Sequence, residues 1–137
     1  MWQIYALLSA FFAALTAIFA KIGVKDIDSN LATAIRVAVI LVLTWGIAVF
    51  TGAVRGIREV SGPTLAFLIL SAVATGLSWL FYFKALSLGD VSRVAPIDKL
   101  SVALVILISI LFLREPASAK TIIGGILITC GSLALVL

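Results

Sequence analysis

The sequence predicts an all-α, polytopic membrane protein of five transmembrane helices, and three observations carry that prediction. First, 64% of the 137 residues are apolar and only 12% are charged, where a soluble domain carries about 25% charged residues. With a mean hydropathy of +1.31, a soluble globule of this length could not hide its apolar surface. Second, the apolar residues come in long runs. Crossing the ~30 Å hydrocarbon layer takes about 20 of them as a helix. Third, the runs are continuous rather than alternating, which favours helices over the strands of a barrel. The same composition excludes disorder. It also argues against a nucleic-acid partner, because the ten Lys and Arg, at a net charge of +4, are scattered singly and form no basic face.

Turn and cap residues then divide the chain. The first helix is expected over about 2–23; it has no basic segment before it and is too long for a cleaved leader. Asp26, Asp28, Ser29 and Asn30 form a turn in which Ser29 or Asn30 caps a second helix, 31–50. Residues 51–62, with three glycines, Arg55, Arg58 and Glu59, read as a surface loop. Pro63 suits the first position of the third helix, 63–88. Gly89 and Asp90 stop it and cap a fourth, 91–113. Arg114, Glu115 and Pro116 break the chain again, and Ser118 caps a fifth helix, 119–137. One domain, 1–137, with almost no loops is the result. It leaves too little outside the membrane for an enzymatic or receptor head.

Chemistry is bounded as tightly. With no His and one Cys (Cys130) inside an apolar run, the chain offers no imidazole base, no metal site and no internal disulfide. Six acidic residues form no paired-carboxylate constellation, and there is no phosphate-binding glycine loop. The reading is therefore no enzyme, no cofactor and no metal.

Loop charges leave the orientation open. Arg55, Arg58, Arg114 and Lys120 fall on one side, and Lys21, Lys25, Lys84 and Arg93 on the other, with Arg36 and Lys99 deeper on the second side. Either a fixed topology or insertion in both orientations, giving antiparallel pairs, is compatible with this balance.

Polar residues within the spans are the candidate functional groups, since ionised groups at depth are costly. On the third helix Ser71, Thr75, Ser78 and Tyr82 fall within about 60° of one another, with Trp79 beside them. They either line a polar cavity or bond to their own backbone. Asp98 lies about 12 Å along the fourth helix if that helix starts after Asp90, deep enough to face a cavity. If it starts at Pro96, Asp98 is a first-turn residue near the surface. Adjacent residues diverge by about 100° on a helix, so Asp98 and Lys99 are not expected to neutralise each other side by side. Arg36, early in the second helix, either snorkels to the interface or reaches an anion in a cavity. Arg36, Asp98 and Lys99 together sum to +1, which suits anionic or zwitterionic solutes. Gly124 and Gly131, seven apart on the fifth helix, open a groove for another helix in the same chain or in a second copy.

These residues also carry a resemblance. FYFKALSLGDVSRVAP, the LFLREP ending of the fourth helix, IIGGILITCG, and LATAIRVAVI with its early Arg resemble an EamA-type domain of the drug/metabolite transporter superfamily. Many members have ten helices in two five-helix halves inserted in opposite senses. This chain is similar to one half, as in short five-helix members. Gly124, Leu127, Ile128 and Gly131 also resemble the dimer-forming last helix of the small multidrug resistance branch, although Gly125 and Ser132 depart from it. That branch couples transport to a Glu in its first helix, and no acidic residue stands there in this chain.

The resemblance implies a transporter in the cell (inner or plasma) membrane. It would move a small metabolite or drug-like solute by alternating access, as a homodimer, antiparallel in one of the two readings. The expected substrate-binding residues are Arg36, Ser78, Trp79, Tyr82 and Lys99, near mid-membrane among the first four helices. Asp98 is the expected coupling residue, and Gly124, Leu127, Ile128 and Gly131 the expected dimer contact. The competing expectation is a non-transporting membrane subunit that assists a partner, for example in lipid handling.

Overall fold

The computed structural model describes residues 1–137 and is helical throughout. Its elements are α1 (Trp2–Gly23), α2 (Ser29–Phe50), a 3-10 helix (Ala53–Glu59), α3 (Gly62–Leu88), α4 (Val91–Asp98), α5 (Leu100–Phe112) and α6 (Ala119–Ala134). Four stretches are long and apolar enough to cross a membrane: α1, α2, α3 and the α4–α5 run Val91–Phe112; α6 is shorter. The protein is an all-α polytopic membrane protein, and what it leaves uncovered fits lipid as its solvent. Phe19, Leu43, Phe67 and Leu111 stand mostly in the open.

Several local expectations are corrected. Asp28, not Ser29 or Asn30, caps α2: its carboxylate accepts from the Asn30 and Leu31 amides at 2.9 and 3.2 Å. This satisfies two otherwise orphaned donors and lets the helix begin at Ser29. The expected surface loop 51–62 is wound for most of its length into a 3-10 helix. Gly52, in the left-handed conformation (φ +77°), turns the chain into it. α3 starts one residue before Pro63, with Ser61 Oγ accepting from the Thr64 amide at 3.3 Å. Asp90 stands at the N-terminus of α4 but makes no side-chain cap bond. Ser118 does cap α6, accepting from the Thr121 amide at 3.1 Å, and that helix ends at Ala134, before the C-terminus.

The expected fourth helix is interrupted once, at Lys99. Pro96 has no amide hydrogen to give the Ser92 carbonyl. The Lys99 amide then bonds the Pro96 carbonyl at 3.0 Å, and the Val102 amide bonds the Lys99 carbonyl at 3.0 Å. Both are i→i+3 bonds, so the run tightens through one 3-10-like turn and continues as α5. At the other end of α5, Arg114 adopts φ +53°, a position usually taken by Gly. The Glu115 amide closes back on the Ser109 carbonyl at 3.2 Å before Pro116.

Two compact units compose the chain, residues 20–87 and residues 1–19 with 88–137. In lipid, apolar surface gains little by leaving the solvent, so helices associate through small residues and polar bonds. The buried set reflects this. In 20–87 it comprises Ala20, Val24, Ser29, Ala32 and Thr33 with two large side chains, Phe83 and Leu86. Thr33 Oγ1 donates to the Ser29 carbonyl at 2.8 Å, so its burial leaves no hydroxyl unmet. Lys21 Nζ donates to the Leu86 carbonyl at 2.8 Å, tying the end of α1 to the last turn of α3. There a cation also complements the helix dipole. In the second unit α5 and α6 form a helical hairpin whose close approach uses Gly125. A Cβ on Gly125 would meet Ile106 Cδ1 at 3.0 Å.

Candidate functional site

Within residues 20–87 the most unusual feature is Arg36. Two turns into α2, it is half-buried, its guanidinium carbon 4.4 Å from the centroid of the Phe83 ring and 5.2 Å from that of Trp79. Trp79 and Phe83 are four apart on α3, hence stacked on one face. They present their electron-rich faces to the cation, an attraction that strengthens where water is excluded. Tyr82 lies near enough to act electrostatically on the same guanidinium and packs edge-to-face on Phe83 at 6.3 Å. One guanidinium nitrogen, Nη1 of Arg36, is buried with no hydrogen-bond partner. Aromatic faces hold the charge but accept no conventional hydrogen bond, so this donor is free for an acceptor brought by another molecule.

The structure thus brings Arg36, Trp79 and Tyr82 together. The Arg36 side chain rests on an aromatic shelf rather than extending away along the helix. Phe83 is the member of this group that the sequence reading misses, although its i, i+4 spacing from Trp79 is the available signal. The hydroxyl stripe is less coherent. Ser78 is exposed, and Thr75 Oγ1 donates to the Ser71 carbonyl at 2.9 Å, bonding its own helix.

In the other unit, Asp98 ends α4 and Lys99 is the α4–α5 interruption itself. α4 starts at Val91 rather than at Pro96, so Asp98 is its eighth residue. Contrary to the expectation, the neighbours do pair: Lys99 Nζ lies 3.3 Å from Asp98 Oδ2. Lys99 sits where the helix leaves regular geometry, and its four-carbon stem is long enough to fold back. The pair is open, with 56% and 39% of the two side chains exposed. It therefore contributes at most about 1 kcal/mol where water reaches it.

On α6, two small-residue faces separate. Gly125 and Ser132, seven apart, are buried within the chain. Nothing lies within 4 Å of a Cβ placed on Gly124 or Gly131, and Leu127 and Ile128 are exposed. α5 and α6 also bound a groove of about 430 Å³ lined by Ile106, Ile110, Gly125, Ile126 and Thr129, among others. Its walls are nearly all hydrocarbon, because the Thr129 hydroxyl donates to the Gly125 carbonyl at 2.8 Å.

Comparison with known proteins gives these features a context. Residues 1–137 match the EamA-like transporter family over their whole length. A Sinorhizobium sp. protein described as an "uncharacterized transporter in cobO 3'region" is 51% identical over 134 residues, covering 98% of this chain and 95% of the relative. No solved structure matches.

Proposed function

The chain belongs to the EamA-like transporter family, and on that premise we propose that it carries a small anionic or zwitterionic solute across the cell membrane by alternating access, as a homodimer. The observation that carries the choice of solute is the buried, unpartnered Nη1 of Arg36 on its Trp79–Phe83 shelf. A guanidinium at membrane depth with an unmet donor binds a carboxylate or phosphate oxygen more strongly than any neutral acceptor. Trp79 is the stacking wall for the solute body, and Ser78 and Tyr82 contribute hydroxyls; Lys99, in the other unit, is proposed separately as a solute-binding cation.

Asp98 is the coupling group in this reading. Transporters build ion sites where membrane helices are interrupted and backbone carbonyls are released. The Pro96–Lys99 turn is such an interruption, with a carboxylate at its edge. A second chain, antiparallel to the first, would rebuild the inverted repeat on which alternating access depends. The open α6 face with Gly124, Leu127, Ile128 and Gly131 is the proposed contact.

Flux into reconstituted vesicles tests the proposal, the solute first being found by thermal-shift screening of the purified protein against metabolites. Transport is expected to disappear in Arg36→Leu, Asp98→Asn and Lys99→Ala proteins that still insert and fold. Unchanged flux in all three removes these residues from the mechanism. Isolation in mild detergent with a stoichiometric foreign subunit, and no flux, would assign the chain an assisting role instead.

A further inference from the structure

Beyond the span, α2 ends in a feature the transport reading leaves unused. Three residues make one turn of a 3-10 helix, so side chains three apart eclipse. Arg55 and Arg58 therefore stand one above the other, and Val54 and Ile57 form the adjoining edge. Together with Val49 and Gly52 these residues line a hollow of about 570 Å³. The chain's ion pair is Lys99–Asp98, so neither arginine has a carboxylate partner. Around them the apolar residues stand open: Phe50 is 94% exposed and Ile57 55%. Two adjacent guanidinium groups, walled on one side by aliphatic side chains at the mouth of a membrane-length helix, combine the two chemistries of a phospholipid at the interface.

We propose that this hollow binds the headgroup phosphate of an anionic phospholipid. Arg55 and Arg58 hold the phosphate oxygens, and Val49 and Ile57 lie against the first carbons of the acyl chains. Planar guanidinium groups match phosphate oxygens two at a time. The aliphatic wall selects a lipid over free phosphate, which is fully hydrated and gains nothing from it. This site stands apart from the Arg36 shelf and does not depend on any solute being moved.

The test uses the full chain in vesicles of phosphatidylcholine alone or with added phosphatidylglycerol. Native mass spectrometry reads retained lipid, and thermal unfolding reads stabilisation. Phosphatidylglycerol is expected to remain bound and to raise the melting temperature. An R55Q/R58Q protein is expected to bind it about thirtyfold more weakly, from about 1 kcal/mol for each surface cation and a factor of ten per 1.4 kcal/mol. An Arg55→Lys/Arg58→Lys protein should keep part of the affinity. Ile57→Asp, which leaves both arginines in place, should lose it. Retention of phosphatidylglycerol by the R55Q/R58Q or the Ile57→Asp protein equal to that of the parent chain would overturn the assignment. So would stabilisation by inorganic phosphate as large as that by the lipid.

Discussion

Arg36 and Phe83 face each other across α2 and α3, the guanidinium carbon 4.4 Å from the ring centroid, with Phe83 only 1% exposed. The relationship separates stability from function. A half-buried cation with one buried donor unmet is a burden that an apolar residue of similar volume removes. Arg36→Leu is therefore expected to be neutral or stabilising by about 1–4 kcal/mol, while solute binding is lost. Arg36→Lys keeps the charge but not the plane that lies on the rings, and should also bind poorly. Thermal unfolding in detergent, paired with solute-induced shifts, checks both. A destabilised Arg36→Leu protein would mean that the guanidinium is a structural strut.

Phe83 itself should behave oppositely. Phe83→Ala removes one of two fully buried large side chains. The cost is expected at the lower end of the core range, about 3 kcal/mol, because lipid supplies no hydrophobic transfer gain. Phe83→Leu keeps most of the volume and loses the cation–π contact, costing about 1 kcal/mol. Melting temperatures in one detergent suffice to rank the two.

How much of this the sequence discloses follows from the kind of signal. The spans are legible because continuous apolar runs bounded by Gly, Pro, Asp and Ser are one-dimensional features. Helix ends are legible to within a residue or two wherever a cap residue stands. Pairing across helices is not. The contact of Arg36 with Trp79 and Phe83 depends on which faces of α2 and α3 meet. Both helices are apolar nearly all the way round, so no polar stripe marks an outer face and no apolar stripe an inner one. The Asp98–Lys99 pair escapes a sequence reading for a related reason. Regular helix geometry separates adjacent side chains, but Pro96, three positions before Lys99, has already disturbed that geometry.

Gly124 and Gly125 are adjacent yet face different surroundings, and substitution should separate their roles. Gly125→Ala asks Ile106 Cδ1, the flexible tip of a side chain, to give by a few tenths of an ångström. The helix-propensity gain of about 1 kcal/mol nearly offsets that. Gly125→Ile cannot be accommodated and should lower the melting temperature through overpacking of about 1–3 kcal/mol. A Cβ added at Gly124 meets nothing within 4 Å, so Gly124→Ile is expected to leave the folded chain largely unaffected. If the open face is the dimer contact, Gly124→Ile lowers the dimer fraction in crosslinking and Gly124→Ala does so weakly. A dimer indifferent to Gly124→Ile places the contact elsewhere.

Pro96 offers a test of the helix interruption. An interior Pro costs up to about 3 kcal/mol relative to Ala. Pro96→Ala restores the bond to the Ser92 carbonyl, so it should raise the melting temperature. If the interruption serves coupling, the same substitution slows transport although Asp98 and Lys99 are intact. A Pro96→Ala protein that is both more stable and equally active would show that the turn at Lys99 has no part in the cycle.

The balance of loop cations makes orientation itself testable. With four Lys or Arg near each face, small changes should decide which side faces the cytoplasm, since the bias is set by residues close to the span ends. Asp26 and Ile27 are exposed and lie outside the helices, and the α2 cap is Asp28, so Asp26→Lys/Ile27→Lys adds two cations without touching a cap. Reporters fused to the C-terminus should appear on both sides of the membrane for the parent chain and on one side for this variant. If antiparallel pairing is required, the variant alone transports poorly. Co-expression with an Lys25→Gln/Arg93→Gln chain, biased the other way, should restore flux. Full activity of the Asp26→Lys/Ile27→Lys protein in a single orientation would rule out the antiparallel pair and leave a parallel dimer or a monomer as the transporting unit.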